Sequence, residues 1–146
     1  MSKFLSVAVL LALMSAAPAR AADHQVLMLN QGKDGAMVFE PGYLKVAVGD
    51  TVKFIAKDKT HNAESISVPA GAAPFKGQID EEIVVRIEQE GVYLYQCAPH
   101  AVMAMVGVIQ AGSAANLAET QQAVTALKAR VLINKERVDQ LLARVK

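Results

Sequence analysis

One cysteine is all the chain contains. No internal disulfide can form, so the fold must rest on a buried core, which a chain of this length can supply. Neither charge sign dominates: 15 Lys and Arg stand against 14 Asp and Glu. No basic stripe with interleaved aromatics occurs, which excludes a nucleic-acid-binding profile. The one long apolar run, residues 4–14, is too short to span a bilayer, and none longer follows it. No membrane span is therefore expected. Helical periodicity is missing from residues 25–110.

The first 21 residues look like a secretory signal. Lys3 supplies the positive start, residues 4–14 the apolar stretch, and Ala19-Arg20-Ala21 the small-x-small cleavage pattern, with the cut after Ala21. A buried N-terminal helix is the alternative, but core helices rarely open on Met-Ser-Lys and close on Ala-x-Ala. Export places the remainder in an oxidising compartment, where a lone thiol is a liability unless something protects it. Metal ligation is one such protection.

Residues 22–112 carry seven basic and eleven acidic side chains, and residues 113–146 carry six basic and three acidic. The first of these stretches reads as short strands between turns: residues 25–29, 43–48, 51–56, 83–87, 92–96 and 106–109. Residues 31–35 form a loop. Gly49-Asp50 and Glu90-Gly91 mark turns, glycine tolerating positive φ. Residues 69–78, with two prolines and two glycines, read as a long irregular loop. This pattern predicts an all-β sandwich or barrel. Beyond Gly112 the period becomes helical, through Leu117, Val124, Leu127, Val131, Val138, Leu141, Leu142 and Val145. One or two helices are expected, opened by Asn116 with Glu119 completing a capping box and broken near Ala129-Arg130 or Asn134. Such helices ordinarily cover a sandwich; binding a partner is the sharper alternative.

Chemistry concentrates at the end of one strand, in Tyr95-Gln96-Cys97-Ala98-Pro99-His100-Ala101-Val102-Met103-Ala104-Met105. A strand-end cysteine is ordinarily a small buried hydrophobe. A single histidine is ordinarily just hydrogen-bonded, and methionines in apolar segments are core. Together the spacing outweighs those readings. Cys97 and His100 can face one point from a tight turn, Met105 can approach it from the return strand, and His61 can reach it from another loop. A thiolate, two imidazoles and a thioether are the donors on which copper cycles between Cu(I) and Cu(II).

Here the sequence resembles the pseudoazurins, a branch of the cupredoxin family of blue copper proteins, over essentially all of residues 22–146. The resemblance is carried by Gly35-Ala36-Met37-Val38-Phe39-Glu40-Pro41, Val48-Gly49-Asp50-Thr51-Val52, His61-Asn62, Cys97-Ala98-Pro99-His100, Met103-Ala104-Met105 and the helical extension. It implies a Greek-key β-sandwich over residues 22–112 with residues 113–146 packed on it as helices. It implies one type 1 copper ion held by His61, Cys97, His100 and an axial Met105, which the resemblance selects over Met103. Asn62 would tie the His61 loop to the Cys97 loop, and Pro99 removes an N–H near the sulfur, which raises the potential. His100 would be the electron port, inside an apolar patch of Ala36, Met37, Pro99, Ala101 and Met103 rimmed by Lys57, Lys59 and Lys76, with Lys33 a further contributor. The implied function is a monomeric periplasmic electron carrier, not an enzyme, that meets a copper nitrite reductase or similar redox protein transiently.

Two departures from the family pattern stand out. Ala98 replaces a common threonine and Gln96 a common lysine, which thins the basic rim. A copper-storage or chaperone protein is the alternative, although such proteins more often expose several Met, His or Cys. A cysteine nucleophile with His100 as base is disfavoured, since one tight turn is a poor base geometry and no orienting acid lies near.

Overall fold

The computed structural model describes residues 20–146. The expected signal, residues 1–21, falls almost wholly outside them. Eight strands appear in chain order: β1 (Asp23–Gly32), β2 (Gly35–Glu40), β3 (Tyr43–Val46), β4 (Thr51–Ala56), β5 (Glu64–Ser67), β6 (Ile83–Arg86), β7 (Gly91–Gln96) and β8 (Val106–Ala111). They form two four-stranded sheets, ordered β2-β1-β4-β6 and β3-β8-β7-β5. Helices α1 (Leu117–Arg130) and α2 (Lys135–Leu142) follow. The result is an all-β sandwich with a helical extension.

Alternation builds the core. Val26 and Met28 of β1 and Val52 and Phe54 of β4 point inward, to meet Tyr93, Tyr95 and Ile109 from the other sheet. Phe39 and Phe54 each set an edge against Tyr95, at centroid distances of 4.8 and 5.0 Å. Strand β7 has no solvent face: Tyr93 and Tyr95 enter this core, while Val92 and Leu94 pack under the tail. There they meet Val124, Leu127, Val131, Val138 and Leu141. Burying each such side chain contributes about 1.5–3 kcal/mol, so the tail belongs to the fold.

The structure corrects several boundaries. Strands β2 and β5 lie where none was expected, because the first begins Gly-Ala-Met and the second is Glu-Ser-Ile-Ser, neither rich in β-branched residues. The expected loop at residues 31–35 is mostly strand, with Gln31 paired to Ala36 and Gly32 to Gly35 across a two-residue turn. Asn116 does not cap α1 with its side chain. Its Oδ1 accepts the Val92 N–H at 2.7 Å and its Nδ2 donates to the Val92 carbonyl at 2.9 Å, fastening the tail to β7.

Buried Asp50 fastens the start of β1. It accepts from the Ala22 N–H at 2.8 Å and the Ala47 N–H at 3.0 Å, and lies 2.8 Å from His24 Nε2. The Ala22 amide first, then His24 and Ala47, draw its pKa from 3.8 to about 2. A carboxyl whose pKa falls on folding stabilises fully above its unfolded value and loses that contribution as pH drops through the folded one. Asp50→Ala is expected to cost about 2 kcal/mol at pH 7. The gap to wild type should close between about pH 4 and pH 2. Urea unfolding across that range checks it; a gap independent of pH would contradict it.

Candidate metal centre

The loop joining β7 to β8 is fixed by its own backbone. Ala98–Met103 form a 3-10 helix with Pro99 in its first turn. The Cys97 N–H donates to the Met105 carbonyl at 2.9 Å, the His100 N–H to the Cys97 carbonyl at 3.2 Å and the Met105 N–H to the His100 carbonyl at 3.2 Å. Cys97, His100 and Met105 are thereby locked into one hairpin end.

His61 arrives from the β4–β5 loop. The Asp80 N–H donates to the His61 carbonyl at 2.7 Å, and Asp80 Oδ1 accepts the Thr60 N–H at 2.7 Å. Asn62 is also buried: its Oδ1 accepts the Ala98 N–H at 2.8 Å and its Nδ2 donates to the Gly77 carbonyl at 3.1 Å.

Both imidazoles turn Nδ1 toward the sulfur. His61 Nδ1 lies 3.7 Å and His100 Nδ1 3.4 Å from Cys97 Sγ. All three donor atoms lie within 4.8 Å of one another. His61 Nε2 sits 3.0 Å from Asn30 Oδ1. An amide oxygen only accepts, so Nε2 carries the proton and Nδ1 keeps its lone pair for a ligand. Burial, followed by the neighbouring His100, lowers the His61 pKa and favours the neutral ring. Burial pushes the Cys97 thiol up, so a thiolate here requires a cation beside it. Two imidazole nitrogens and a buried thiol aimed at one point suit a soft metal ion. His61, Cys97 and Met105 are completely buried, whereas His100 is partly exposed.

The expected docking patch needs correction. Ala36 and Pro99 are exposed, and Met37 and Met103 half-buried. Ala101 is only 7% exposed, because the 3-10 turn folds it inward and presents Val102 instead. Val102 is 45% exposed, and its carbonyl accepts the N–H groups of Leu132 and Ile133, themselves 75% and 50% exposed. The α1–α2 connection thus extends this apolar surface. Lys57 and Lys59 are exposed but flank Asp58, and Lys76 pairs with Glu64 at 3.2 Å. Sequence reasoning missed Asn30, which carries no local signal. It also missed Arg137, a charge set inside the apolar stripe of α2, which was readable from its place beside Val138 and four residues before Leu141.

No helix among the described residues is long and apolar enough to cross a membrane. Residues 26–112 match the family of copper binding proteins of the plastocyanin/azurin type. The chain is 43% identical to the pseudoazurin of Paracoccus pantotrophus over 143 residues, 96% of this chain and 94% of that one. A relative from Rhizobium leguminosarum is 53% identical over 100 residues, covering 67% of this chain and 66% of its own length. The crystal structure of native pseudoazurin from Hyphomicrobium denitrificans superposes with a TM-score of 0.73 at 44% identity, covering 85% of this chain and 98% of that one. With a thiol and two imidazoles gathered at the end of a cupredoxin sandwich, the chain belongs to the pseudoazurin family of blue copper electron carriers, with copper as its cofactor.

Proposed function

We propose that His61 Nδ1, Cys97 Sγ and His100 Nδ1 would hold one type 1 copper ion, with the Met105 thioether as a weak further donor, and that the chain ferries single electrons between periplasmic redox proteins. The convergence of both Nδ1 atoms on one buried sulfur carries this reading. Bound there, copper supplies the one-electron Cu(I)/Cu(II) couple. The chain's residues do the rest. Asn62 and the hairpin hydrogen bonds hold the donors in place, which keeps reorganisation small. The Asn30 carboxamide fixes the His61 tautomer. The partly exposed His100 ring serves as the electron port, since the other three side chains are sealed. A storage or chaperone role is disfavoured by that sealing, because handing on an ion requires reachable ligands.

The fitting partner is a copper nitrite reductase or a similar redox enzyme, met transiently across the apolar surface at the port. Surfaces of this kind desolvate readily and make small, short-lived interfaces. Residues 1–21 would direct export and be removed, leaving residues 22–146 to work as a monomer. The test is direct: Cu(II) is added to the purified metal-free protein and the visible spectrum recorded. An intense thiolate-to-copper band is expected, and stoichiometric uptake without that band overturns the ligand assignment.

A further inference from the structure

Arg137 is the most unusual charged residue in the fold. It projects from α2, is 9% exposed, and forms no ion pair among the described residues. Its guanidinium donates only to backbone carbonyls. Nη1 reaches Met37 at 2.9 Å, Ala104 at 3.1 Å and Met103 at 3.4 Å. Nη2 reaches Ala36 at 3.1 Å and Asp34 at 3.2 Å. The acceptors fall in two segments, residues 34–37 and 103–104. Burial lowers the pKa of Arg137, yet arginine keeps its charge at neutral pH.

Two of the five acceptors are strained. Met37 has a φ of 50° and Ala104 a φ of 57°, the left-handed region that residues with a Cβ seldom occupy. Conformations of that kind persist only where the surroundings over-determine them. Ala104 immediately precedes Met105, whose N–H donates to the His100 carbonyl. Met37 and Met103 are the two half-buried members of the apolar rim proposed around His100. A charge-assisted, forked donor is the group best suited to hold two such carbonyls at once.

We propose that Arg137 is a positioning residue for the copper site: from the C-terminal helix it holds Ala104 and Met37 in left-handed conformations, and so sets the stance of Met105 and of the rim around His100. The helical extension then acts as an outer brace for the ligand hairpin as well as a cover for the sandwich. This rests on the ligand set proposed above.

Arg137→Met removes both fork and charge at similar length, whereas Arg137→Lys keeps the charge but cannot reach both segments. Each is loaded with copper, and reduction potential, visible and electron paramagnetic spectra, and electron self-exchange by NMR are measured. Arg137→Met is expected to lower the potential, since a fixed positive charge favouring the less charged ion is gone. It should also alter the spectra and slow self-exchange about tenfold or more, the usual scale for losing a support of metal ligands. Arg137→Lys should recover much of the potential but neither the spectra nor the exchange rate. A folded Arg137→Met protein with wild-type potential, spectra and exchange overturns the proposal, even if its melting temperature falls. If Arg137→Met does not fold, wild-type spectra and exchange in Arg137→Lys overturn it equally. Hydrogen exchange on the wild-type copper protein needs no variant: the Met105 amide must exchange as slowly as the β7–β8 ladder, and fast exchange there is also decisive against it. Failure of the ligand reading is separate, since it appears as a wild-type protein that takes up copper without the thiolate band.

Discussion

Cys97→Ala is expected to yield a folded, colourless protein that no longer exchanges electrons. The intense band requires a sulfur-to-copper bond, and the chain has no second thiol to supply one. Folding survives because the sandwich is held by Phe39, Phe54, Tyr95 and many neighbours, among which Cys97 is one small member. Cutting a buried CH2SH side chain back to a methyl group costs roughly 1–2 kcal/mol in the metal-free protein. Both effects are read on one sample, by copper titration in the visible range and by urea unfolding of the metal-free form. An intense band surviving in the variant would remove Cys97 from the ligand set.

A charge placed in the apolar surface beside His100 is the second large effect expected. Met103→Glu and Leu132→Glu should each slow oxidation by a nitrite reductase about tenfold or more, because a contact must strip water from the new carboxylate. The reduction potential should stay near wild type, since neither residue is a proposed ligand. Reversing Lys57 and Lys59 together should do less. Asp58 stands between them, and its carboxylate, which accepts the Asn30 N–H at 2.7 Å, already offsets half their charge. Their contribution is to the rate of encounter and should fade as salt screens it. Stopped-flow oxidation over a range of ionic strength separates the two classes. Wild-type rates in Leu132→Glu would confine the docking surface to the sandwich and leave the helical connection outside it.

The two kinds of effect differ in how far they could be read from the sequence. Cys97, His100 and Met105 share nine consecutive residues, so local spacing was enough to suggest a common centre. The helical period gave a tail of one or two helices with a break near Ala129-Arg130 or Asn134, and the structure has two, parted between Arg130 and Lys135. What sequence did not reveal is tertiary. Asn30 meets His61, and Arg137 meets Met37, across separations that no periodicity reports. Asn116 looked like a cap because its side chain suits one, but an unpaired length of β7 backbone competes for the same amide and wins. The resemblance puts Ala101 in the exposed patch, yet the 3-10 turn buries it and leaves Val102 outside. Strand β5 escaped notice because it lies at a sheet edge, where Glu64 and Ser65 need no apolar alternation.

One feature of the hairpin limits how the carrier can be used. Strands β7 and β8 are buried along their whole length, and Gln96, next to the cysteine, is hydrogen-bonded inward to Glu64 at 2.8 Å. Of the four proposed ligands only His100 reaches water. With His100 as the proposed port, the molecule has a single doorway and cannot hold its donor and its acceptor together. Each must leave before the other arrives, so the two compete for the same face, and an excess of either one throttles the traffic. Throughput in such a relay is bounded by how quickly a spent partner departs, which favours weak contact over tight.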